Sequence, residues 1–179
     1  MTPADRGPLR IALLHDDSSG GDHASELADG LDRAGHDAEL VRASTVGALE
    51  SLLRRRGFAG SLTRVPAGLT ALLRDGFDIV HAFSTTDAAA ALAWRRLAAR
   101  PAVVVFTCVE PLDRARLADR RLRLWLLERA VRDSDAVTAA TEASRAALAR
   151  WLALDAPVID SGDVAGYERL YHDLLDRRT

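Results

Sequence analysis

Apolar and polar positions alternate in blocks along this chain, and each block has the length of a strand or a helix. Residues 9–15 form a short apolar run, the pattern of a buried strand. Residues 22–34 switch to helical spacing, with Leu27 and Leu31 on one face and Gly35 as the predicted C-terminal cap. A second strand is predicted over 38–41. Residues 45–56 place Val46, Leu49, Leu52 and Leu53 at three- and four-residue intervals, a helical pattern. A short extended piece is predicted at 62–65, and a proline-started helix over 66–74.

The rhythm continues to the end of the chain. Residues 77–83 predict a strand. Ser84 or Thr85 caps an alanine-rich helix reaching about Ala99, which Pro101 stops. Residues 102–107 contain Val103-Val104-Val105-Phe106, the purest buried-strand signal in the sequence. A long helical region at 112–132 follows, then a strand at 135–140, a helix capped by Thr141 and ending at Leu152, a strand candidate at 157–159, and a terminal helix at 164–177.

Strands alternating with helices predict an α/β fold, a Rossmann-like parallel sheet with helices on both faces. With no repeat and no low-complexity linker, residues 1–179 are expected to form a single domain, the terminal helix packing back on it. Such sheets hold ligands outside the carboxyl ends of their strands. Those ends carry His15-Asp16-Asp17, His81, Cys108-Val109-Glu110 and Thr141-Glu142.

Composition narrows the chemistry. The formal net charge is −2 with mixed signs along the chain, which argues against a nucleic-acid footprint despite a local arginine stripe over 114–132. The sequence has no Lys, Asn or Gln, so a Walker lysine, a Schiff-base lysine and N-glycosylation are excluded. Cys108 is the only cysteine, which excludes an intramolecular disulfide and thiol-rich metal sites. With neither a signal-peptide pattern nor an apolar stretch of about 20 residues, no transmembrane segment is expected, and the chain reads as a soluble cytoplasmic protein.

Several residues fit two roles each. Gly20-Gly21 can cradle a phosphate or an acceptor hydroxyl through backbone N–H groups, or form a plain strand–helix turn. His15, Asp16 and Asp17 fit ligand binding or a solvated loop, and no metal site is expected. His23 faces a cleft or solvent. His81 fits a catalytic position or a satisfied buried histidine. Cys108 fits a catalytic thiol or an inert buried one. Glu110, Thr141 and Glu142 are further ligand-binding candidates at the same edge.

Arg10-Ile11-Ala12-Leu13-Leu14, Gly20-Gly21, His23, Glu26-Leu27-Ala28 and Gly35-His36-Asp37 resemble the opening of family 4 retaining glycosyltransferases. Asp78-Ile79-Val80-His81-Ala82 and Pro101-Ala102-Val103-Val104-Val105 resemble their next two strands. Glu128-Arg129 followed by residues 135–141 resembles their Glu-Arg…Ala-Asp-Ala-Val segment. The resemblance runs from about residue 9 to about residue 162.

It implies the acceptor-side, N-terminal domain of a GT-B fold. In that family a C-terminal domain binds the nucleotide sugar, and transfer occurs between the two. The resemblance covers no such second domain here, and residues 167–175 resemble the family's final helix. Cys108 stands at or next to a position where the family carries a histidine thought to position the sugar.

The expectation is therefore a truncated or split glycosyltransferase half. It would bind a sugar or small hydroxylated acceptor, acting with a donor-domain partner protein or as a homo-oligomer. It would hold no cofactor of its own, a nucleotide sugar entering only through a partner. The rival readings are a small stand-alone enzyme in which His15, Asp16, His81 and Cys108 converge, and a non-catalytic scaffold.

Overall fold

The computed structural model describes residues 7–15, 21–42, 69, 72–73, 76–97, 102–112 and 121–178. The strands are β1 (Arg10–His15), β2 (Asp37–Arg42), β3 (Ile79–Ala82), β4 (Val103–Cys108) and β5 (Ala136–Ala139). The helices are α1 (Gly21–Arg33), α2 (Thr85–Leu97), α3 (Arg121–Asp133), α4 (Glu142–Leu152) and α5 (Val164–Asp176). All strand pairs are parallel, in the order β2-β1-β3-β4-β5. The expected α/β sheet is present, with helices on both faces.

The expected 157–159 strand is a single parallel bridge, Val158 to Ala139. The helix expected over 45–56, the strand over 62–65, most of the helix over 66–74 and the first half of the 112–132 helix lie outside the described residues. Of these, Leu69 and Leu72 pack against the core.

Parity sorts the strand residues. Leu13, His81, Val105 and Ala136 stand side by side in register. They share the face covered by Ala24, Leu27 and Leu31 of α1 and by Tyr167, Tyr171 and Leu174 of α5. The alternate residues, Ala12, Leu14, Val80 and Val104, pack against Trp94 and its neighbours on α2. Phe106, Cys108 and Ala139 meet Leu127 of α3 and Leu148 of α4. β4 is buried at every position, as expected of an interior parallel strand covered on both sides.

Local signals set the helix ends. Gly35 closes α1 in the left-handed region (φ 93°), with His36 N–H donating to the Leu31 carbonyl. Of the two expected caps for α2, Ser84 serves: its hydroxyl accepts from Asp87 N–H and donates to the Asp87 carboxylate at 2.6 Å. Thr141 caps α4 through Ser144 N–H, and Asp163 caps α5 through Gly166 N–H. At the amino edge of the sheet, the Asp78 carboxylate accepts Arg10 N–H and the Asp135 carboxylate accepts Val104 N–H.

Candidate functional site

The sheet order reverses at β1: β2 lies on one side and β3 on the other. The crevice outside the carboxyl ends of these strands is where open parallel sheets receive ligands. His15 ends β1 there, in register with Arg42 at the end of β2. Its side chain is buried, and neither ring nitrogen has a hydrogen-bond partner among the described residues. Buried polar atoms are nearly always satisfied, and His15 carries two on one ring that lack a partner among the described residues. Gly21, six residues on in the chain, opens α1. Asp16, Asp17 and Gly20 lie outside the described residues.

His23, in the first turn of α1, leans over the same edge. Its ring lies 5.5 Å from Phe83, the residue after β3. Its Nε2 meets the Tyr167 hydroxyl at 3.3 Å, and that hydroxyl donates to the Ile159 carbonyl at 3.0 Å. Burial pulls the His23 pKa below its ordinary value, against the opposing charges of Asp160 and Glu26. The Asp160 carboxyl is itself held low, first by Gly162 N–H and then by the Ser161 hydroxyl. Ser161 also donates to Glu26 at 2.5 Å, tying the segment before α5 to α1.

Beneath this edge runs a buried polar row. His81 of β3 is fully buried, with Nδ1 2.6 Å from the Tyr171 hydroxyl and Nε2 2.6 Å from the Thr107 hydroxyl. Thr107 in turn meets Thr138 at 2.6 Å, across β4 and β5. Burial holds His81 well below the usual histidine range, with a smaller contribution from His23, so the ring is neutral. Burial likewise raises the Tyr167 hydroxyl to about 12 and pushes Tyr171 well above its usual value. The row is a set of neutral hydrogen-bonding groups, and both nitrogens of His81 are committed to it.

The expected convergence of His81 with Cys108 does not occur. Val105 shares a face with His81, and Cys108, three residues on, points to the other side of the sheet. It is buried among Phe106, Leu127 and Leu148. Its thiol donates to the Glu110 carbonyl at 3.2 Å, and burial, assisted by Glu110, raises its pKa to about 12. A thiol so held is not a nucleophile near neutrality.

The other expected residues divide as well. Glu110 is exposed in the loop after β4. Thr141 spends its hydroxyl on the α4 cap, and Glu142 faces solvent beside Arg145 at 2.7 Å. No group of three or more His, Cys, Asp or Glu among the described residues is placed to hold a metal. No helix among them is long and apolar enough to cross a membrane.

The polar row includes residues absent from the sequence-based candidates: Thr107, Thr138, Tyr167 and Tyr171. Two signals carried them. Threonine interrupts otherwise apolar strands at 107 and 138, and the tyrosines stand four apart on one helix face.

The description Glycosyltransferase Family 4 applies to the family model that matches this chain, over residues 20–160. No curated protein matches it.

Proposed function

The chain belongs to glycosyltransferase family 4, and from that premise we propose that it is the acceptor-binding side of a glycosyl-transfer machine of GT-B type. It takes a sugar or a small hydroxylated molecule in the crevice outside β1 and β3. A separate donor-binding body, in the same polypeptide or a partner chain, presents the nucleotide sugar across that crevice. The observation that carries the reading is His15, buried at the end of β1, where the sheet order reverses, with neither nitrogen partnered among the described residues. Hydroxyl groups can both donate to and accept from an imidazole, so a polyol suits such a side chain.

Two features support a division of labour. A single parallel sheet offers one wall of a crevice, while glycosyl transfer brings an acceptor and a donor face to face. Moreover, the one cysteine at the edge is a neutral thiol turned to the opposite face, and His81 has no free nitrogen, so neither supports transfer by this sheet alone.

The test is the shift in melting temperature across a panel of neutral sugars and of UDP- and GDP-sugars. A ligand at a hundred times its Kd stabilises by about 2.7 kcal/mol, or roughly 5–10 °C for a domain of this size. Neutral sugars are expected to raise the midpoint, and His15→Ala to abolish the rise. Micromolar binding of a nucleotide sugar by these residues alone, with no effect of neutral sugars, would overturn the proposal.

A further inference from the structure

The hydrogen bonds around His23 fix where its proton sits. Tyr167 has one hydroxyl hydrogen, and a carbonyl can only accept. The bond from Tyr167 to the Ile159 carbonyl, 3.0 Å, therefore uses that hydrogen. Burial keeps the hydroxyl protonated to about 12, so the assignment holds across the working pH range. Toward His23 the same oxygen is an acceptor, and the 3.3 Å contact requires the hydrogen on Nε2. In a neutral imidazole this leaves the lone pair on Nδ1. That nitrogen makes no hydrogen bond among the described residues, and the ring is partly exposed at the switch point, beside Phe83.

We propose that His23 Nδ1 accepts the hydrogen of an acceptor hydroxyl, and that this end of the crevice favours neutral or cationic polyols over phosphorylated ones. The inference rests on the acceptor-binding reading above and names the substrate class and a binding atom. Ile159, Tyr167 and His23 form a relay of fixed polarity, so the chain leading into α5, and α5 itself, set the tautomer of a residue on α1. The charge preference comes from the surroundings. Glu26 of α1 and Asp160 of the segment before α5 both act on the His23 ring, and Asp22 is its exposed neighbour in the same turn. Among the described residues, the groups facing His23 from the other packed elements are the Tyr167 hydroxyl and the neutral His81, neither of which offsets these carboxylates. A phosphate here would meet like charge.

The tautomer is read directly from the imidazole nitrogen shifts of His23 in 15N NMR at pH 7.5. The Nε2–H form is expected, and the Nδ1–H form would overturn the inference whatever the protein binds. Binding is then measured by calorimetry with methyl glucopyranoside, galactopyranoside and mannopyranoside, and with glucose 6-phosphate.

Two variants separate the ring nitrogens. His23→Gln reaches the Nε2 position and keeps the Tyr167 contact; His23→Asn reaches the Nδ1 position. For the best-bound pyranoside, loss of one hydrogen bond in His23→Gln is expected to weaken affinity about tenfold, with His23→Asn close to wild type. Acidification through the lowered pKa of His23, below the ordinary histidine range, is expected to weaken binding more in the wild type than in His23→Asn, because imidazolium cannot accept. Glucose 6-phosphate is expected to bind more weakly than the methyl glucoside. Pyranoside binding that His23→Gln leaves intact would sink this inference and leave the acceptor reading standing. Failure of every pyranoside to bind the wild type would sink both.

Discussion

His81 remains uncharged because it is buried and, among the described residues, its surroundings offer two hydroxyls and no counter-ion. The linkage sign follows from that. In the unfolded chain the ring protonates near pH 6.5; in the fold its pKa lies well below. Below pH 6.5 the unfolded state therefore binds a proton that the native state refuses, and stability falls as pH falls. The slope from this one group reaches about 1.4 kcal/mol per pH unit. His23 shifts in the same direction. Urea unfolding between pH 7.5 and 5 is expected to show a decline, reduced in His81→Asn; a flat profile in the wild type would contradict the burial argument. At pH 7 the same variant is expected to lose about 2 kcal/mol or more, since the Tyr171 and Thr107 hydroxyls lose their partner.

Cys108 gives a second expectation: the folded protein should resist iodoacetamide at pH 8, and Cys108→Ala should leave sugar binding unchanged. Residue types at strand ends were legible in the sequence, and so was their edge. Which face each one took was not assigned there, although parity carries it: His81 and Cys108 are separated by the sheet itself. That α5 forms a hydrogen bond with each of His23, His36 and His81 was not legible either, because the partners Tyr167, Glu168 and Tyr171 lie 90 or more residues away.

At the scale of elements, signals confined to a few neighbouring residues read well. Gly35, Thr141 and the valine run of β4 each specify local geometry and appear as expected. Close approaches between helices do not announce themselves in the same way. Gly30 lies in the last turn of α1, where glycine costs up to about 1 kcal/mol relative to alanine. Its reason is Val164, the first residue of α5: a Cβ on Gly30 would overlap Val164 Cγ2. Valine is short and stiff at χ1, so it cannot swing away. Gly30→Ala is therefore expected to destabilise by about 1–2 kcal/mol, opposite in sign to helix propensity. Val164→Ala removes the clashing methyl, so the double variant should be more stable than Val164→Ala alone, by up to about 1 kcal/mol. Stabilisation by Gly30→Ala in the wild-type background would show that α1 and α5 do not meet this closely.

Over the whole molecule, α5 is a second cover for the face that α1 begins to bury. Tyr167 and Tyr171 are wholly buried and Leu174 nearly so, against Ile11, Leu13, Ile79, Val103 and Val105. At about 1.5–3 kcal/mol per large buried apolar side chain, the three supply roughly 5–9 kcal/mol. Domains of this size have a net stability of about 5–15 kcal/mol, so the sheet cannot spare them. Hydrogen bonds fasten the helix at both ends. Near its start Ser161 holds Glu26 and His36 holds Glu168; just past its end Arg178 donates to Asp135 and to the Ala102 carbonyl. A helix attached this way has no low-energy route to opening by itself. Its backbone amides are thus expected to exchange with solvent only through global unfolding, with the same protection free energy as β4. Leu174→Ala, a cavity variant, should lower the protection of both elements by the same amount, about 2–4 kcal/mol. Amides of α5 that exchange orders of magnitude faster than those of β4 would mean that the helix detaches while the sheet stays folded. The polar row and the tautomer of His23 would then depend on an intermittent contact rather than on the native core.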